Sequence, residues 1–60
     1  MMTNIIIKDK VSSKTIIQYE GRLIPMIGDH LDLPKHGIVK VVERIFFVDK
    51  PDEVMIKVKR

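Results

Sequence analysis

Two histidines, His30 and His36, flank a turn-rich stretch that also carries Asp29 and Asp32. Two imidazoles and two carboxylates are in principle a zinc ligand set. Their spacing matches no metal-binding pattern, and turn residues are commonly polar. They read as exposed turn residues, and no metal or other cofactor is expected. The inventory for nucleophilic catalysis is equally thin. The chain has no cysteine. Ser12 and Ser13 sit between charges, with no histidine close in sequence and no nucleophile elbow around them. Paired carboxylates with separated pKa values need a cleft, and 60 residues leave little room for one. No glycine-rich phosphate loop is present. These residues predict a protein that is not an enzyme and takes no small-molecule substrate.

Binding chemistry has more to work with. Eleven Lys and Arg against eight Asp and Glu give a formal net charge of +3, which invites a nucleic-acid reading. Acidic residues are interspersed through most of the chain, as on an ordinary soluble surface. The one candidate patch is Lys57, Lys59 and Arg60 near the C-terminal end, joined by Lys40 and Arg44 if their strand lies alongside. A nucleic-acid surface also wants aromatic platforms, each worth about 1–3 kcal/mol per base. This chain has two Phe and one Tyr, and at least one Phe is expected in the core.

The sharper feature is the pair Phe46-Phe47. Adjacent residues on a strand point to opposite faces, so one Phe enters the core and the other leaves it. If the loop Asp49 to Glu53 pairs Val48 with Val54, Phe46 opposes Ile56 inside. Outside, Phe47 then opposes Met55 and Ile45 opposes Lys57. A one-residue slip turns Ile45 and Phe47 inward and Phe46 and Val48 outward. Either way the hairpin carries apolar side chains on both faces unless a bulge intervenes. Ile5, Ile6 and Ile7 cover the second face, or a partner does. Ile45, Phe46, Phe47 and Met55 are therefore the candidate partner-binding residues.

The elements that must hold these residues are strands. Of 27 hydrophobic residues ten are Ile and seven are Val, with three Leu and no Ala. β-Branched side chains lose rotamer freedom in helices and pack well on pleated surfaces. Turn residues divide the chain into about five strands: Thr3 to Lys8, Thr15 to about Ile24, His30 to Leu33, Ile38 to Val48, and Val54 to Lys59. Ile17 and Tyr19 share one face of the second, with Ile16, Gln18 and Glu20 on the other. In the fourth, Val39 and Val41 share a face on which Glu43 would also fall. A bulge near Val42-Glu43 restores the pattern and bends the strand. Val54, Ile56 and Val58 face inward, with Lys57 and Lys59 in water.

Five short strands with tight connections and no room for a helix predict an all-β fold, a small barrel of short antiparallel strands. The stretch Ile24-Pro25-Met26-Ile27-Gly28-Asp29-His30-Leu31-Asp32-Leu33, continued by Gly37-Ile38-Val39-Lys40-Val41, resembles the apolar-x-Gly-Asp-x-apolar-x-apolar signature of SH3-like barrels. That resemblance implies that Gly28 turns the chain and Asp29 caps the turn through its own side chain. The stretch is more distantly similar to the KOW element of ribosomal and transcription-factor barrels, which implies RNA or transcription partners. The internal basic-Gly pair of that element is absent here. Swapped-hairpin DNA binders of the AbrB type also carry Ile-Pro before Gly-Asp, but separate the pairs by a short helical stretch where this chain has Met26 and Ile27. The overall pattern also resembles short bacterial and phage single-domain proteins, which implies no function.

The expectation is one domain over residues 1–60, cytoplasmic, with no membrane segment. The start meets charge too early for a signal peptide, and no window approaches the roughly 20 apolar residues of a spanning helix. Its role is expected to be a non-catalytic protein-interaction or self-assembly module, the partner being a protein or a second copy. The alternative is nucleic-acid binding through the basic C-terminal edge.

Overall fold

The Ile- and Val-rich segments form five strands: β1 (Thr3–Asp9), β2 (Thr15–Gly21), β3 (His30–Leu33), β4 (Gly37–Phe47) and β5 (Lys50–Lys59). The computed structural model describes residues 2–60; Met1 lies outside them. Among the described residues no helix is long and apolar enough to cross a membrane. The strands make one sheet in the order β2-β1-β5-β4-β3, curled into a half-barrel compatible with an SH3-like fold. The edge strands β2 and β3 do not touch, so the barrel stays open.

The all-β expectation holds, and the all-antiparallel one is corrected: β1 and β5 pair in parallel. The cause is the segment Arg22 to Asp29, which carries the chain from β2 at one edge to β3 at the other. β3 sets out in the direction of β1, and two antiparallel steps through β4 return β5 to that direction. β2 ends at Gly21 rather than near Ile24 because the chain leaves the edge there. Ile24 instead packs against the core, and Pro25 is buried beside it in sequence.

The core lies on the inner face. Ile5 and Ile7 of β1 stand opposite Val54 and Ile56 of β5, and Val41 of β4 stands opposite Val58. With Val39 and Leu33 these are the buried hydrophobic residues. The bulge expected near Val42 is present, between Val41 and Glu43. It keeps Val41 inward and turns Glu43 outward. A second bulge opposite Ile7/Lys8 lets neighbours Ile16 and Ile17 both pack against the core, where simple alternation had parted them.

No aromatic ring enters this core, contrary to expectation. The β4–β5 turn is two residues, Val48-Asp49, pairing Phe47 with Lys50, and residues 51–53 of β5 then bulge away from the β4 ladder. Phe46 consequently faces Val54 rather than Ile56, a shift of two that preserves its inner face. It lies near the sheet's end and remains 56% exposed.

Turn chemistry positions the crossing segment. Gly28 has φ +97°, a conformation L side chains rarely adopt. The Asp29 Oδ2 accepts the Met26 N–H at 2.9 Å, and the Asp29 N–H donates to the Met26 carbonyl at 3.0 Å. Gly28 and Asp29 then bond Val41 of β4 on both its N–H and C=O sides, extending the β3 edge. Asp29→Ala is expected to cost about 1 kcal/mol, the net worth of one hydrogen bond near water. Urea denaturation measures it, and an unchanged midpoint would remove the cap from this account.

Candidate interaction surfaces

Alternation past the Val42 bulge sends Glu43, Ile45 and Phe47 to the outer face and Arg44 and Phe46 to the inner one. On the outer face, Ile6 of β1 stands opposite Met55 of β5, and Met55 opposite Ile45 of β4. These three, with Phe47, form a half-buried apolar stripe across the three central strands. Of the four residues expected to bind a partner, Ile45, Phe47 and Met55 therefore share a face, and Phe46 does not. β1 extends the sheet sideways instead of covering the hairpin, because its pairing partner is the edge of β5. Ile6 joins the stripe rather than shielding it.

Phe46 has a different companion. The Arg44 guanidinium carbon lies 5.0 Å from the centroid of its ring, within cation–π range. Arg44 stands opposite Ile56, and its Nε is buried without a hydrogen-bond partner. This placement takes Arg44 out of the expected basic patch. Phe47 has Lys50 Nζ 6.0 Å from its ring centroid.

The rest of that patch is only partly assembled. Lys40 stands opposite Lys59, and Lys57 opposite Lys8; alternation with the buried valines and isoleucines turns all four outward. Arg60 instead donates to the His36 carbonyl at 3.0 Å. Lys10 joins the outer lysines through its ion pair with Glu43, 2.6 Å long. Sequence reasoning missed Lys8 and Lys10 because only the parallel β1–β5 pairing brings them beside Lys57. The other end of the outer face is neutral to acidic: Gln18 Nε2 donates to Asn4 Oδ1 at 3.2 Å, and Glu53 pairs with Lys50 at 3.8 Å.

The hydrogen bond and charge of Lys10, with Lys57 nearby, hold the Glu43 carboxyl below the usual carboxylate range. A depressed folded-state pKa contributes stability above the unfolded value, lost as pH falls through the folded one. Thermal unfolding across the acid range is expected to show that loss in the wild type and less of it in Glu43→Gln. The difference should shrink at high salt because the pair is exposed. Identical pH profiles would show that the pair contributes nothing.

A second surface is concave, where sequence reasoning expected none. At the end of the sheet carrying the β1–β2 and β3–β4 turns, a cleft of about 290 Å³ opens between the two. Val39, Val58 and Ile16 are its apolar lining, and Ser12, Lys14, His36 and Arg60 are among its polar residues. Ser12 and His36, far apart in sequence, thus share a cleft. Ser12 Oγ accepts the Lys14 N–H at 3.4 Å. His30 is an exposed residue of β3 instead, and among the described residues no three His, Cys, Asp or Glu are grouped to hold a metal. No protein-family model, curated protein or solved structure was found to match the chain.

Proposed function

We propose that this chain is a non-catalytic interaction module that docks a protein partner through the outer face of its sheet. The observation that carries the reading is the stripe Ile6, Met55 and Ile45, continued by Phe47, across the three central strands, with no second layer over it among the described residues. Contiguous apolar patches mark association sites, and the stripe is contiguous across three paired strands, whereas more exposed apolar residues such as Leu23 and Val48 stand in loops. The lysines beside the stripe define the partner's chemistry: apolar anchors flanked by carboxylates. A second copy fits less well, since it brings the same lysine-rich half-face and a net charge of +3. The test is titration with a synthetic peptide of alternating Leu and Glu, followed by amide NMR, with sedimentation run in parallel. Saturable shifts at Ile6, Ile45, Phe47 and Met55 on a monomeric protein are expected. Shifts confined to the inner face, or no saturation, would sink the reading.

One observation favours a second reading, nucleic-acid binding. Lys40 faces Lys59 and Lys8 faces Lys57, and like charges directly across a ladder are destabilising. A phosphate backbone laid over them would relieve that repulsion. Oligothymidylate binding at about 50 mM salt, weakening steeply with added salt, is what this reading requires.

A further inference from the structure

We infer that the cleft between the β1–β2 and β3–β4 turns is a binding site for a small phosphomonoester with an apolar body. Its border carries the cationic side chains of Lys14 and Arg60, with Lys59 at the rim turned to the outer face, against the single side-chain carboxylate of Asp9. Asp9 is already engaged: its Oδ1 accepts the N–H groups of Val11 at 2.8 Å and Ser12 at 3.4 Å, holding the β1–β2 turn. Like charges gathered around a concavity focus its potential and draw an anion inward. Two cations beside a carboxylate already held by the turn suit a doubly charged phosphate better than a single carboxylate group.

The remaining lining gives the ligand its second half. Half-buried Ile16 supplies the apolar surface of the cleft; Val39 and Val58 border it but are only 3% and 2% exposed. Ser12 and Thr15 add hydroxyls able to donate to phosphate oxygens. Arg60 is placed by its hydrogen bond to the His36 carbonyl, 3.0 Å long, which ties the end of β5 to the β3–β4 turn and forms one wall. A volume of about 290 Å³ is at the small end of ligand pockets. It admits one ring or a short chain with its phosphate. This site is separate from the outer face, since it is built on core residues of the inner one.

Phenyl phosphate is the probe, with inorganic phosphate and phenol as the charge-only and body-only controls. Amide NMR on the whole chain is expected to show saturable shifts at Ser12, Thr15, Ile16, Val39 and Val58 with phenyl phosphate. Inorganic phosphate should bind there more weakly, and phenol not at all. Lys14→Gln, an exposed change that leaves the backbone bonds of the turn intact, should weaken binding about tenfold. Lys8→Gln, on the outer face, should leave it unchanged. Unsaturated shifts scattered over the outer lysines, or equal losses from both variants, would overturn the proposal. So would phenyl phosphate binding no better than phosphate alone.

Discussion

Ile56→Ala is expected to lower stability by about 2–5 kcal/mol, the range for removing a large aliphatic side chain from a closed core. Ile56 has no exposed surface. It stands in the middle of β5, the strand at the centre of the sheet, with Ile7 beside it on β1. Because β5 is paired on both sides, its backbone has little freedom to collapse into the cavity. A chain of this length has only about 3–9 kcal/mol of net stability, so most or all of the fold is at risk. Ile56→Val, at about 0.5–1.5 kcal/mol, keeps the measurement readable if the alanine variant does not fold. Urea unfolding followed by circular dichroism reads both, and a loss below about 1 kcal/mol for the alanine would mean the inner face is not closed. Phe46→Ala and Phe47→Ala are the contrast, since neither ring is in the core, and each should cost well under the Ile56 loss.

Met55→Lys is expected to abolish docking on the outer face while leaving the fold intact. Met55 is the middle residue of the stripe, flanked by Ile6 and Ile45. Central, apolar interface positions commonly cost 2 kcal/mol or more when lost, a factor of about 30 in affinity. A lysine there also adds charge to a partner-facing centre already bordered by lysines, which supplies a repulsive term. The inner face does not feel the change, so stability should fall only by the loss of two cross-strand apolar pairs, about 0.2–1 kcal/mol each. Peptide titration and urea unfolding on the same variant separate the two effects. Undiminished binding by a folded Met55→Lys would remove the stripe from the interface; increased affinity for oligothymidylate with lost peptide binding would favour the nucleic-acid reading.

The features legible in the residues are those that local physics decides. β-Branched composition and period-two alternation determined that the chain is all-β and that it has five strands, with β3 at His30 to Leu33 and β4 ending within a residue of expectation, while β2 stops at Gly21 and β5 starts at Lys50. The collision of Glu43 with the Val39–Val41 face called for a bulge at Val42, and the bulge decided that Ile45 and Phe47 leave the core face. The Gly28-Asp29 pair announced a turn capped by a side chain, because only glycine takes that φ freely and a short side chain bearing an acceptor oxygen reaches back to Met26.

What the tertiary structure alone decided depends on strands pairing across some fifty residues. Turn chemistry does not reach that far, so the parallel alignment of β1 with β5 left no local signature. That one pairing put Ile6 into the apolar stripe, where it had been expected as a lid, and set Lys8 beside Lys57. It also hung the β1–β2 turn next to the end of β5, opening the cleft that joins Ser12 to His36. The Phe46-Phe47 faces followed from alternation; their absence from the core followed from a two-residue turn and a bulge at residues 51–53, because register sets depth along the sheet as well as side.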